Sequence, residues 1–256
     1  MKIHHTAIVD KKAQLADDVE VGPYCLIGSN VKVGSGTKIG PHAVLDGYIT
    51  VGKNNKIFTG AVIGSITQDL KYKGERSYVK IGDNNIIREY VTINLGTKKG
   101  SSTIIGNDVL LMAYSHIAHD CVINDEAIIA NAGTLGGYVT IEQKAVVGGL
   151  VGIHQFVRIG KLAIIGGCSK VVQDVVPYSN CDGHPLRVYG LNTIGLKRAG
   201  VSQDSRAHLK KAFRLLFNSG LSIAHALKRI RSEVPNCPEV AHLIEFVSTS
   251  KRGISR

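Results

Sequence analysis

Ile117-Ala118-His119-Asp120-Cys121-Val122-Ile123-Asn124-Asp125-Glu126-Ala127-Ile128-Ile129 spans two periods of a six-residue rhythm, and its reading decides the fold. An aliphatic residue heads each period, and a small residue, Cys121 or Ala127, stands two places before the next. Positions two apart on a strand share a face. Each period therefore turns one small and one aliphatic side chain to the same side. Stepping by six in both directions gives Ile3 through Ile63, then Ile81, Ile87 and Ile93, then Ile105 through Val171; all 26 positions are Ile, Val or Leu. Ala7, Ala13, Cys25, Ala43, Ala61, Ala145 and Ala163 repeat the small position. Gly22, Gly28, Gly34, Gly40, Asp46, Gly52 and Gly106 follow directly after aliphatic positions and read as turn formers.

Short strands joined by tight corners every six residues describe a mainly β chain, a parallel β-helix of the hexapeptide class. Three periods close one triangular coil of about 18 residues, rising about 4.8 Å per coil. The composition agrees with thin layers and many turns: 44% hydrophobic residues, 29 Gly, 5% aromatic residues and no Trp. No stretch has the apolar length of a membrane span, and Met1-Lys2-Ile3-His4-His5 is no signal peptide, so a cytoplasmic protein is expected. The five Cys form no CxxC pair, which argues against a disulfide framework or a zinc cluster. Cys25 and Cys121 read as core residues.

The rhythm pauses at about 65–78 and about 95–102, both polar. Loops on a rigid scaffold are where function concentrates. With each pause treated as an excursion, Ile63, Ile93, Ile117, Leu135 and Ile153 fall on one side of the prism, one coil apart. Both loops then leave from the corner that carries His119, Gly137 and Gln155 further along. His116, Tyr138 and His154 neighbour that corner. Two coils separate His119 from Gln155, about 10 Å, the scale of a cleft. His116, His119 and His154 lack a well-placed further ligand, so no metal is expected.

The charge of +11 is uneven: residues 187–256 hold thirteen Lys/Arg against four Asp/Glu. That stretch suits an acidic or phosphate-bearing partner. Nucleic acid is disfavoured, because no aromatic residues interleave with the charges. Here the pattern turns helical. A first short segment spans 190–198. Ser202 caps a helix with Leu209, Ala212, Phe213, Leu216 and Phe217 as its apolar stripe. Ser222 opens one with Ile223, Leu227, Ile230 and Val234, and Pro238 opens one with Val240, Leu243, Ile244 and Val247. The expected division is a β-helix over 1–186 and a C-terminal α-helical domain over 187–256, placed to cap or flank the prism.

The hexads occur together with Gln68-Asp69-Leu70-Lys71-Tyr72, His116-Ile117-Ala118-His119-Asp120-Cys121, His154-Gln155-Phe156, Gly166-Gly167-Cys168-Ser169, Gln173-Asp174-Val175 and Gly195-Leu196-Lys197-Arg198. Over essentially its whole length the chain resembles the UDP-N-acetylglucosamine O-acyltransferases that begin lipid A synthesis. The resemblance implies a left-handed β-helix and a homotrimer with sites between subunits. It implies transfer of a 3-hydroxyacyl group from acyl carrier protein to the sugar 3-hydroxyl, without a cofactor. It makes His119 the general base and gives Asp120 orientation or polarisation of its ring, direct contact not being assumed. Gly137 takes the oxyanion position. Gln68, Asp69 and Lys71 are assigned to the sugar nucleotide, and His154 and Gln155 to the sugar or the pantetheine arm. His116 and Tyr138 complete the cleft. Gly167 stands where acyl length is limited, and Asn192 and Arg198 lie toward uridine and phosphates.

Tyr138, Ile194 and Ala199 depart from the family pattern, standing where members carry His, Glu and Arg. A phenol can donate a hydrogen bond but is no base near neutral pH. N-acylation of a 3-amino UDP-sugar is therefore the alternative chemistry. The related N-acyltransferase, with its separate N-terminal uridine-binding domain, is disfavoured because the hexads begin at Ile3. A non-catalytic β-helical scaffold or metal-binding module is the non-enzyme alternative.

Overall fold

The computed structural model describes residues 1–256. Each aliphatic position lies in a short strand, from Lys2–Ile3 to Lys170–Val171, and closes it except at Ile63 and Ile93. The strands stack into three parallel sheets, the faces of a left-handed triangular prism. The first face runs from Lys2–Ile3 to Ile164–Ile165, the second from Ile8–Val9 to Lys170–Val171, and the third from Gln14–Leu15 to Arg158–Ile159. Like pairs with like: Ile93 faces Ile117, Ile117 faces Leu135, and Leu135 faces Ile153. The aliphatic and small positions fill the interior from Val19 onward. Ile117, Cys121, Ile123, Ala127 and Ile129 are all fully buried.

The glycines that follow the aliphatic residues do not make the turn. Left-handed backbone falls two places later, at Tyr24, His42, Asn54, Asn84, Asp108, Tyr114, Asp120, Glu126 and their counterparts, with φ between 55° and 69°. For an L-residue this conformation costs about 1 kcal/mol, and the corners accept it at nearly every period. The glycines serve the stacking of coils. A Cβ on Gly34 would lie 2.7 Å from the Gly52 carbonyl oxygen, and one on Gly82 would lie 2.6 Å from that of Gly106.

The two interruptions are loops over 66–77 and 95–101, both leaving the second face. They are stapled together. The Asn94 side-chain amide donates to the Ile66 carbonyl, the Ser77 hydroxyl to that of Gly96, and the Gly100 N–H to that of Arg76. Leu95 is buried in the prism core, which ties the second loop down.

Past the last hexad, residues 179–182 hold a further rung. Ser179–Asp182 pairs in parallel with Ile164–Ile165, and Arg187–Leu191 folds back antiparallel on it. The first helix, α1, therefore starts at Thr193 and ends at Arg198, because residues 190 and 191 belong to that strand. The next three are α2 (Gln203–Phe217), α3 (Ile223–Glu233) and α4 (Pro238–Ser248). Ser202 and Ser222 cap α2 and α3 by accepting from Ser205 N–H and His225 N–H. Their buried stripes differ from the sequence reading by a few residues. Leu215, Ala226 and Phe246 are buried, whereas Phe217, Ile223 and Ile244 are only half-buried. The helices share a second core with Leu162, Val176 and Tyr178 of the prism end. No helix is long and apolar enough to cross a membrane.

Glycine at a stacking position and glycine in open space should respond oppositely to a methyl group. We expect Gly82→Ala to destabilise the chain by about 1–3 kcal/mol. Gly152→Ala, whose Cβ would meet nothing within 4 Å, should stay within about 0.5 kcal/mol of the parent. Urea unfolding of the two variants checks this.

Candidate active site

Successive side chains on a strand point apart, yet His119 and Asp120 meet. Asp120 occupies the left-handed corner, φ 58°, where the chain swings from the second face to the third. Its own N–H is held by the Thr103 hydroxyl at 2.9 Å. The turn brings Asp120 Oδ2 within 3.0 Å of His119 Nδ1. Direct contact, which the sequence reading did not assume, is thus made. Oδ2 also accepts from the Thr97 N–H at 3.0 Å and from the Thr97 hydroxyl at 2.7 Å. Having donated to Asp120, the Thr97 hydroxyl accepts from the Tyr138 phenol at 2.9 Å. Burial acts to raise the Asp120 carboxyl, but the hydrogen bonds of Ser101, Thr97 and His119 outweigh it and hold the group below the usual carboxylate range.

An ionised carboxylate can only accept, so the His119 proton lies on Nδ1 and the Nε2 lone pair is free. Gly137 stands one coil beyond, and any Cβ there would clash with Cε1 and Nε2 of the imidazole. The Gly137 N–H donates to no group of the chain. Tyr138 meets the imidazole edge-on with ring centres 5.2 Å apart, and stacks on Phe156 at 4.9 Å. Its hydroxyl goes to Thr97, so Tyr138 acts as a wall and an anchor. His116 bonds the Thr92 hydroxyl through Nδ1 at 2.7 Å. Burial, and then the charge of His119, keep its imidazole below the usual range. Cys121 is no nucleophile: it is fully buried, donates to the Gly136 carbonyl at 3.2 Å, and has its thiol pushed up to about 12 by burial.

An open groove of about 810 Å³ lies over the second face, lined by Gln68, Asp69 and Lys71 from the first loop and by His116, His119, His154 and Gln155 from the prism. The Asp69 Oδ1 caps its own loop by accepting from Lys71 N–H at 2.9 Å. His154 Nδ1 rests on the Gln155 carbonyl at 3.2 Å. Gly167, Asn192 and Arg198 lie elsewhere within the chain. Gly167 is at the corner between the first and second faces, exposed beside Gly149. Asn192 and Arg198 line a separate hollow over the first face, with Glu126 and Lys144. The Asn192 side chain already caps α1, accepting from Gly195 N–H and donating to the Leu162 carbonyl. No group of three or more His, Cys, Asp or Glu side chains is arranged to hold a metal ion.

Three groups escaped the sequence reading. Thr97 and Phe156 had no signal beyond a place in the second loop and in a motif. Asn94 lines the groove with a buried Oδ1 that has no partner in the chain.

Residues 102–137 match the six-repeat bacterial transferase hexapeptide model, and residues 174–255 match domain 2 of UDP-N-acetylglucosamine O-acyltransferase. The acyl-[acyl-carrier-protein]–UDP-N-acetylglucosamine O-acyltransferase of Thermodesulfovibrio yellowstonii is 48% identical over 100% of this chain and 99% of its own. The chain belongs to this family. The enzyme of the same name from Anaeromyxobacter dehalogenans is 48% identical, with all of both chains covered. Among solved structures, the UDP-N-acetylglucosamine acyltransferase of Bacteroides fragilis superposes with a TM-score of 0.97 at 40% identity, over 99% of this chain and 100% of that one. The Arabidopsis UDP-N-acetylglucosamine acyltransferase superposes at 0.86 with 36% identity, over 99% and 100%.

The dyad predicts a spectroscopic state. Nitrogen NMR of the neutral His119 ring should show Nδ1 protonated and Nε2 bare. Asp120→Asn should shift much of the population to the other tautomer. Because the Asp120 carboxyl is depressed, its contribution is fully present above the ordinary carboxylate range near about pH 4 and is lost only as pH falls through the lower folded value.

Proposed function

We propose that the chain is an O-acyltransferase that moves a 3-hydroxyacyl group from the thioester of acyl carrier protein to the 3-hydroxyl of UDP-N-acetylglucosamine, the opening step of lipid A synthesis. The single observation that carries the mechanism is the His119–Asp120 dyad lying under the bare Gly137 at the edge of an open groove. A sugar hydroxyl is a weak nucleophile, and a base within hydrogen-bond reach is worth on the order of 10²–10⁴ in rate. The free Nε2 of His119 takes the hydroxyl proton as the oxygen attacks the thioester carbon. Asp120 then holds the imidazolium through Nδ1–H. The carbonyl oxygen, now an oxyanion, is offered the unpaired Gly137 N–H. Collapse expels the thiolate, which recovers a proton from His119. No acyl-enzyme is required, and the buried Cys121 thiol is unsuited to forming one.

Gln68, Asp69 and Lys71 serve the sugar nucleotide, and His116, His154 and Gln155 the cleft between sugar and thioester. No cofactor enters the reaction, and it runs in the cytoplasm. The division expected at 186/187 cuts ahead of the strand Arg187–Leu191, which pairs with the last rung of the prism, so the catalytic prism runs through that strand and the helical part that meets the nucleotide and the carrier begins with α1.

The places where apolar side chains point support a homotrimer. Ile86, Leu110, Ile128, Val146 and Ile164 form an outward row on the first face, and Ile8, Leu26, Val44 and Val62 one on the second. The third face begins with the polar row Gln14, Lys32, Thr50 and Lys80. First face against second, around a threefold axis, would bring the Asn192–Arg198 hollow of one subunit to the His119 groove of the next. The first loop leaves Ile66 67% and Leu70 102% exposed, apolar surface that a neighbour would cover.

His119→Ala should lower the rate by on the order of 10²–10⁴ with the fold retained, as read by product formation from UDP-N-acetylglucosamine and a 3-hydroxyacyl carrier protein. Supplying the 3-hydroxy and 3-amino sugars in competition settles the acceptor. Complementation tests the shared site. His119→Ala and Arg198→Ala, each nearly inactive alone, should regain activity when unfolded and reassembled together. Equal inactivity of the mixture would rule out sites shared between subunits.

A further inference from the structure

The corner between the second and third faces carries Asp120, Tyr138 and Phe156, one coil apart. All three are left-handed, with φ of 58°, 61° and 66°. Phe156 lies on the Tyr138 ring, 4.9 Å away and 11° from parallel. The Tyr138 N–H donates to the His119 carbonyl at 3.0 Å. Tyr138 is thus held at its backbone and on one face of its ring. Its hydroxyl has a single partner in the chain, Thr97 at 2.9 Å. Thr97 is 9% exposed, and neither residue lines the groove. Any effect of the pair on the reaction must pass through Asp120, or through the packing of Tyr138 against the imidazole.

Hydrogen-bond direction favours the first route. A threonine hydroxyl has one proton and two lone pairs. Thr97 gives the proton to Asp120 Oδ2 at 2.7 Å, a length typical of a bond to an ionised oxygen. Its buried oxygen then needs a donor, and Tyr138 supplies it. Donation into the Thr97 hydroxyl polarises it and strengthens its hold on the carboxylate. Two of the three donors on Oδ2 come from Thr97, and the third is His119 Nδ1. The Ser101 hydroxyl is a rival partner for Asp120, so the grip of Thr97 keeps the carboxylate turned to the imidazole. We propose that Thr97 and Tyr138 are positioning residues for His119, forming a relay in which the phenol donates to the threonine and the threonine to Asp120, with Phe156 pinning its outer end. On the acyltransferase reading, on which this inference rests, the relay keeps Nε2 bare and aimed at the acceptor hydroxyl.

A double-mutant cycle tests this, read by turnover of UDP-N-acetylglucosamine with a 3-hydroxyacyl carrier protein and by nitrogen NMR of the His119 ring. Thr97→Val keeps the shape and the N–H but removes the hydroxyl. Its kcat should fall roughly ten- to a hundredfold, the worth of a hydrogen bond to a charged group, with the sugar-nucleotide KM unchanged. Thr97→Ser should restore most of the rate. Tyr138→Phe keeps the ring against His119 and Phe156 and should cost about two- to tenfold. The double variant should be no slower than Thr97→Val alone, because the phenol acts only through that hydroxyl. In Thr97→Val part of the neutral His119 ring should pass to the other tautomer, as in Asp120→Asn. Losses that multiply in the double variant overturn the proposal and leave Tyr138 a packing residue. A rise in the sugar-nucleotide KM with kcat unchanged also overturns it, by placing the pair against substrate. Full activity in Thr97→Val overturns it while leaving the transferase reading intact. A parent without turnover whose His119 tautomer still depends on Thr97 keeps the relay and removes that reading.

Discussion

Coils stacked at the spacing of hydrogen-bonded strands, about 4.8 Å, are the constraint on which everything else in this chain depends. The backbone groups of the strands find their partners one coil above or below, so every corner must repeat the corner beneath it. That is why the corners adopt the same left-handed residue whatever its identity, from Tyr24 to Asp120 to Leu162. It is also why Gly34 and Gly82 lack side chains, since the coil above occupies the space a Cβ would need. A parallel sheet whose strands are two to four residues long has little stability of its own. The fully buried ladder of Ile, Leu and Val that runs up the axis of the prism provides it.

The candidate site is a local use of the same constraint. One coil above His119 the chain must pass directly over the imidazole, and Gly137 is what permits it. The left-handed corner turns two adjacent side chains toward one another and so makes a dyad from neighbours in sequence. The second loop completes it by laying Thr97 across the carboxylate. Because Leu95 is anchored in the core two residues earlier, the position of Thr97 is tied to the prism.

The prism was legible because its period is short, strict and written in side-chain size. The register that aligned Ile63, Ile93, Ile117, Leu135 and Ile153 is the register of the second sheet. What was less legible depends on spacing through space. Glycines after the aliphatic positions looked like turns, because sequence does not show that another coil lies against them. The rung at Ser179–Asp182 was hidden by Cys181, which takes the place of the aliphatic residue in a stretch marked by Pro and Gly. Thr97 and Phe156 act through partners 23 and 18 residues away, Asp120 and Tyr138, and nothing local marks them. The gathering of Gln68, Asp69, His116, His119, His154 and Gln155 around one groove followed from the register. The placement of Asn192 and Arg198 over another face did not, because their segment lies beyond the repeat.

The stacked coil is also a counting device. Eighteen residues return the chain to the same face, so a single residue gained or lost would turn every later side chain out of phase with those below. Asp120 would no longer fall on its corner, nor Gly137 above His119. Length can vary only in whole multiples of the period or by looping out at a corner. Both loops of this chain leave at the same corner and rejoin the rhythm in phase, at Ile81 and Ile105. In such a molecule the conserved quantity is less the identity of any one residue than the integer that separates it from the next.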